Sequence, residues 1–192
     1  MLRTTILAVF CISLTFQSCS SSEKEGKQRD TAITTPDNRE NRVSPAETTT
    51  ADFDGNVVTI NYGSPKVKDR EIWGALVPYG EVWRTGANEA TTITFTKDVL
   101  IDGQLLKADT YAFFTIPDPE AWTIIFNLEE KQWGAFKYDS TQDALRLQVE
   151  PVMQEELTEA LAFTLEKAAN GGVIQLRWEK IAIDIPFTTA PE

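Results

Sequence analysis

From Asp52 onward, apolar residues recur at every second position and are interrupted by turn-forming residues about every eight to twelve positions. Val58, Ile60 and Tyr62 alternate with Thr59 and Asn61, and Ile93 and Phe95 alternate with Thr92, Thr94 and Thr96. Leu145, Leu147 and Val149 do the same with Arg146, Gln148 and Glu150. A repeat of two places successive side chains on opposite faces of a strand, so each run predicts a strand with one core face and one polar face. Asp102-Gly103, between Val99-Leu100-Ile101 and Gln104-Leu105-Leu106, is the strongest hairpin signal. Tyr111–Ile116 and Trp122–Leu128 flank Pro117-Asp118-Pro119 as a second antiparallel pair, and Val173–Trp178 and Ile181–Phe187 complete the strands. With no strand-helix alternation, the pattern predicts an all-β, antiparallel β-sandwich of immunoglobulin-like or jelly-roll type.

One or two short helical turns are expected beside it. Arg70–Val77 fits one or two turns before Pro78. Glu155–Ala169 reads as a helix through Leu157, Leu161, Leu165 and Ala168, and as a strand through Leu161, Phe163 and Leu165. Because neighbouring strands need antiparallel partners, a helical turn over Gln154–Glu159 and a strand from Ala160 are expected. Asn170-Gly171-Gly172 suits either a hairpin turn or a helix end.

The amino terminus has the composition of an export signal. A short n-region carrying Arg3 precedes the apolar run Ile6–Phe16, and Phe16-Gln17-Ser18-Cys19 closes it. The run is too short to span a bilayer. Cys19 after a small residue resembles a bacterial lipobox, which implies cleavage before Cys19 and lipidation of its thiol. An ordinary secretory signal cut nearby is the alternative. Residues 20–50 are almost devoid of aliphatic side chains and are expected to form a disordered tether. The expected organisation is therefore a signal peptide over 1–18, a tether over 19–50 and a folded domain over 51–192. The expected location is the cell envelope, with the lipid holding the protein on the periplasmic face of the outer membrane or on the cell surface.

Composition narrows the chemistry. The chain has no His, and of its two Cys, Cys11 lies inside the signal and Cys19 would carry lipid. Disulfides, thiol nucleophiles, Cys/His metal sites and His-based triads are thereby excluded from the mature protein, and no cofactor or metal is expected. Asp52-Phe53-Asp54-Gly55-Asn56 has the Gly two positions early for a calcium loop, and Gly63 stands where the bidentate Glu belongs, so a turn is expected. The net charge is −11, and residues 51–192 hold 12 of the 18 basic and 23 of the 29 acidic residues. Such a surface repels nucleic acid and anionic head groups, which leaves membrane attachment to the lipid alone.

The densest unusual segment runs from Ser64 to Thr92 and contains Trp83-Arg84-x-Gly86-Ala87-Asn88. Together with Thr110-Tyr111, Phe114-Thr115-Ile116-Pro117, Trp122-Thr123, Phe126-Asn127, Gln132-Trp133-Gly134-Ala135, Asp143, Leu145-Arg146 and Trp178-Glu179-Lys180, it resembles the bacterial domain family of unknown function DUF2911. The resemblance covers residues 52–187. It implies an envelope protein, often lipidated, with no established activity or catalytic residue to carry over.

In physical terms Trp83 offers an indole plane and Arg84 a guanidinium fork suited to carboxylate or phosphate. Gly86 and Asn88 both tolerate left-handed backbone angles, so the loop can turn sharply and present N–H groups. Tyr79, Trp83, Arg84, Asn88 and Glu89, with Glu81 as a further possibility, are the candidate ligand-binding residues. The competing explanation, and the favoured one, pairs Arg84 with an internal carboxylate such as Asp143 or Glu89. The five tryptophans are expected in the core where they fall inside apolar runs, Trp122 above all. Acid/base work by Asp69, Glu71, Glu81 and Glu89 would make a polysaccharide hydrolase, but no spacing places a pair across a cleft, and no catalytic residue is assigned. The expected role is a binding or accessory module for a polar small molecule or glycan, with a hydrolase or a structural subunit that binds an envelope protein through a sheet edge as alternatives.

Overall fold

The computed structural model describes residues 42–191. The expected signal peptide, the expected lipidation site Cys19 and the expected tether as far as residue 41 lie outside the described residues. The strands, in chain order, are β1 (Ala46–Phe53), β2 (Asn56–Gly63), β3 (Thr91–Phe95), β4 (Val99–Ile101), β5 (Gln104–Leu106), β6 (Thr110–Ile116), β7 (Trp122–Asn127), β8 (Asp143–Val149), β9 (Val152–Ala168) and β10 (Gly171–Thr189). They form a six-stranded sheet in the order β1-β2-β3-β6-β7-β8 and a four-stranded sheet in the order β5-β4-β10-β9. Every ladder is antiparallel. The two sheets pack together as a β-sandwich, as the alternation requires.

The alternating residues supply its interior. Val58, Ile60, Ile93, Phe95, Phe113 and Phe126 from the first sheet and Phe163, Ile174, Leu176, Ile185 and Phe187 from the second are all buried in one cluster. β6 departs from alternation, with Tyr111–Thr115 buried without a break. A second, smaller cluster explains this: Ala112, Phe114 and Ile125 pack with Ala90, Val82 and Tyr138 of the connecting segments, so the middle of the six-stranded sheet is covered on its other face as well.

Turn chemistry follows the sequence at two hairpins. Asp102 and Gly103 take positive φ between β4 and β5, and Asp54 and Gly55 do so between β1 and β2. The latter pair turns the calcium-like segment into a tight turn, closed by Gly55 N–H donating to Asp52 Oδ1 at 2.7 Å. Asn170-Gly171-Gly172 closes the β9–β10 hairpin.

Three expectations are corrected. β9 is a strand from Val152 onward, with no helical turn over Gln154–Glu159. Leu157 stays 53% exposed while Leu161 and Phe163 are buried, so the period of two prevails over the helical spacing because β10 supplies a continuous ladder. Arg70–Val77 makes no helix: Gly74 N–H donates to Val77 O and Val77 N–H to Ile72 O in a compact loop, and the one short helix among the described residues is the 3₁₀ turn Ser140–Gln142. Finally, the folded part begins ahead of residue 51. Ala46–Thr50, assigned by composition to the tether, belong to β1 and pair with β2 from Ala46↔Gly63 onward.

The connection Ser64–Ala90 between β2 and β3 is held by indoles. Trp73 packs edge-on against Trp122 at 4.8 Å, Trp178 at 5.6 Å and Trp83 at 5.8 Å between ring centres, and Trp83 stacks on Trp178 at 5.6 Å. Trp122 stands on β7 and Trp178 on β10, each 1% exposed, so the cluster ties the long connection to both sheets at once. Trp122→Ala should therefore cost about 3 to 5 kcal/mol in a denaturant titration, the usual result of truncating a buried Trp, and should collapse the near-ultraviolet dichroism of the coupled indoles. A loss below about 1 kcal/mol would show that the cluster is dispensable to the sandwich.

Candidate functional site

The chain from Trp83 to Thr91 is shaped by unusual backbone. Asn88 takes φ 66°, the left-handed conformation expected of it. Gly86 does not; Thr85 takes φ 53° instead. A β-branched residue in that region is strained, at a cost on the order of 1 to 3 kcal/mol. Thr85 is fully buried and held there from three sides: its hydroxyl bonds Trp83 O at 3.2 Å and Thr115 Oγ1 at 3.1 Å, and its carbonyl accepts from Thr91 Oγ1 at 2.9 Å. Close approach is what demands glycine nearby. A methyl group at Gly63 would sit 2.1 Å from Ala87 O, and one at Gly86 would sit 2.9 Å from Thr91 Oγ1. These contacts press the loop against the end of β2.

Arg84 and Asn88 line a cleft of about 330 Å³ together with Trp83, Trp178, Lys66, Lys68 and Arg70. No carboxylate lines it, although it collects four of the 12 basic residues of a strongly acidic domain. Lys66, Lys68 and Arg70 are set on alternate positions of one tight turn. Lys68 and Asp69 take φ 49° and 54°, Arg70 N–H donates to Val67 O at 3.1 Å, and the Arg70 guanidinium donates to Val67 O and Lys66 O. Asn88 is tied to the chain entering β1, donating through Nδ2 to Ser44 O at 3.1 Å.

The unmet hydrogen-bonding capacity of this cleft is all of one kind. Arg84 Nε and Trp178 Nε1 are buried N–H donors without an acceptor. Burial lowers the Arg84 pKa from its usual value, the signature of a cation held away from water. The internal ion pair expected of Arg84 is absent among the described residues. Asp143, whose side chain is only 5% exposed, instead receives Tyr138 Oη–H at 2.6 Å and Asn127 Nδ2–H at 2.8 Å, with Arg146 Nε at 3.6 Å. Glu89 binds Arg42 at 2.6 Å. Such a cleft is chemically suited to receive an acceptor-only group: a carboxylate or a phosphate.

The structure thus brings together Trp83, Arg84 and Asn88 and separates them from Tyr79 and Glu89. Tyr79 is 41% exposed and stands by Gly74 outside the cleft lining. Glu89 faces a second, larger cleft with Glu47 and Glu130. Trp83 is no open platform, since its face is stacked on Trp178 and its Nε1–H is satisfied by Gly86 O at 3.2 Å. Asp69, Glu71 and Glu81 line neither cleft. Sequence reasoning missed Lys66, Lys68, Arg70 and Trp178; three cations at alternate positions in an acidic chain were the available signal for the first three. No group of His, Cys, Asp and Glu among the described residues has the arrangement of a metal site.

Fold and cleft together define an antiparallel β-sandwich with a cationic recess beside an indole cluster. The chain belongs to the family described as protein of unknown function (DUF2911), which it matches over residues 44–187. No curated protein and no solved structure matches it.

The Asp143 cluster yields a pH prediction. Burial first, and then the hydrogen bond to Asp143, push the Tyr138 pKa from its ordinary 10.0 up to about 12. A raised pKa favours folding while the hydroxyl is protonated, so its contribution is complete below pH 10.0 and is lost as pH rises towards about 12. Denaturant midpoints measured across that window should fall for the wild type and fall less steeply for Tyr138→Phe. The variant should start lower at neutral pH by about 1.5 to 3 kcal/mol, since Asp143 loses a charge-assisted bond. Parallel slopes would remove Tyr138 from the alkaline transition.

Proposed function

We propose that this protein is a lipid-anchored envelope module that captures a small anionic ligand, bearing a carboxylate or a phosphate, in the cleft around Arg84. The observation that carries this reading is the combination of four cations, no lining carboxylate and two buried N–H donors without acceptors at one recess. An uncompensated guanidinium half withdrawn from water is unfavourable for the empty protein, and an entering anion offsets that cost. Strain at Thr85 beside Arg84 fits the same account, because strained backbone is retained where it aims a functional group. The absence of carboxylates from this cleft supports binding over hydrolysis, which would need an acid and a base at the ligand. The export signal and Cys19 support attachment to the envelope through lipid.

Two measurements test this. Phosphate and citrate, titrated calorimetrically and followed by thermal unfolding, should bind saturably where glucose does not. An anion at about 100 times its Kd should stabilise the protein by about 2.7 kcal/mol. Arg84→Ala should abolish that response while changing the stability of the ligand-free protein by no more than about 1 kcal/mol, since no carboxylate is stranded. A loss of about 3 to 5 kcal/mol in the variant would identify a structural ion pair instead, and an undiminished anion response would exclude Arg84 from the site. For the anchor, Cys19→Ala should abolish incorporation of labelled fatty acid and release the protein from membranes; equal retention by the variant would overturn it.

A further inference from the structure

We propose that the second cleft is a saccharide site, taking a neutral, hydroxyl-rich ring against the face of Trp133. The cleft has a volume of about 550 Å³, within the range of small-molecule sites, and lies against the paired ends of β1 and β2, Ala46 to Thr48 and Asn61 to Gly63. Trp133 lines it and is 57% exposed, with the Arg42 guanidinium 5.9 Å from the centre of its ring, so a sugar would lie on the ring surface that Arg42 leaves uncovered. That exposure is built in. Gln132-Trp133-Gly134 is fastened alongside Asn88–Ala90 as a short extra strand, with Ala90 N–H donating to Gln132 O and Gly134 N–H to Asn88 O, both at 3.0 Å. A large indole held outward by a fixed backbone is a surface prepared for a partner rather than a residue that failed to find the core.

The second observation is Gln132, which also lines the cleft. It is 7% exposed; Nε2–H is satisfied by Glu129 O at 2.8 Å, and Oε1 is buried with no donor. This orphan is an acceptor, the opposite of those at Arg84, so the missing partner carries N–H or O–H. The Thr48 hydroxyl donates to Asn61 Oδ1 at 2.9 Å, which leaves the Asn61 N–H₂ as the donor at that wall. Glu47 and Glu130 add acceptors. A purely apolar ligand would leave Gln132 Oε1 unpaired, and a phosphate would meet three carboxylates, Glu47, Glu89 and Glu130, against two cations, Arg42 and Lys131. A sugar ring has an apolar C–H face to lie on the indole and hydroxyls that both donate and accept at its rim, so it satisfies both demands together.

This site shares no side chain with the anion cleft, so the two stand or fall separately. Maltotriose, cellotriose and fully N-acetylated chitotriose, all neutral, would be titrated into the purified full chain by calorimetry. At least one should bind saturably, with Trp133→Ala weakening it about tenfold or more, as for truncation of an aromatic anchor. Trp133→Phe should weaken it less, and Gln132→Leu by about fivefold. Every variant should keep the wild-type far-ultraviolet spectrum and a cooperative unfolding transition, which reports folding independently of the Arg84 cleft. Saturation by none of the three sugars, or wild-type affinity in Trp133→Ala, would overturn the proposal.

Discussion

The contact among Trp73, Trp83, Trp122 and Trp178 is what the rest of this molecule depends on. Sheets of a sandwich hold themselves together by their inner faces, but a connection as long as Ser64–Ala90 has no ladder of its own to order it. Here two of its indoles reach between β7 and β10 and are enclosed by an indole from each sheet. Large aromatic rings bury the most apolar surface per residue and lose little rotamer freedom, so two of them can anchor a segment that otherwise consists of turns. Every basic residue of the Arg84 cleft belongs to that connection. The cleft therefore has the rigidity of the core although it is made of loop.

Charge distribution sets the character of the two clefts. In a domain with a large acidic excess, the field of the rest of the surface favours cations, and four of them gather at this recess. Within the recess, however, water is partly excluded, and Arg84 loses hydration that no neighbouring carboxylate restores. The adjacent cleft has the reverse bias, with Glu47, Glu89 and Glu130 against Arg42 and Lys131. Two recesses of opposite polarity a few residues apart in the chain would select opposite ligands.

Much of the sandwich was legible in the sequence because a period of two is a direct record of which side chains face inward. Val58, Ile60, Ile93, Phe95, Leu145 and Leu147 are buried as their alternation demands. The failures are equally physical. In β9, Leu157 and Leu161 mimic helical spacing, and only pairing with β10, which is not local information, decides between the two periods. Arg84 stands out in the sequence, yet its lack of an internal carboxylate partner is not legible there, since it depends on Asp143 being claimed by Tyr138 and Asn127 and Glu89 by Arg42. Tyr79 and Glu89 sit within the same run of sequence as Trp83, but left-handed residues at Gly80, on the Tyr79 side, and at Thr85 and Asn88, on the Glu89 side, turn the chain between them. Trp133 gave no signal beyond its type, because its exposure depends on a bridge to Glu89 across the chain.

The boundary of the domain shows why composition alone misplaces an edge strand. Ala46–Thr50 read as tether because they contain little that is apolar, and only Phe53 at the far end of β1 is buried. An outer strand, however, is stabilised through its backbone: β1 pairs residue for residue with β2, Thr49 donates to Phe163 O at 2.9 Å, and the side chains that face outward can remain polar. The polarity that mimics disorder is then useful. Thr48 and Glu47 line the larger cleft beside Trp133, while Val43 and Ser44, just ahead of β1, line the Arg84 cleft. The segment from Val43 to Thr48 is thus part of the wall of both recesses, and the polarity that hides this strand from a compositional reading is what suits it to that position.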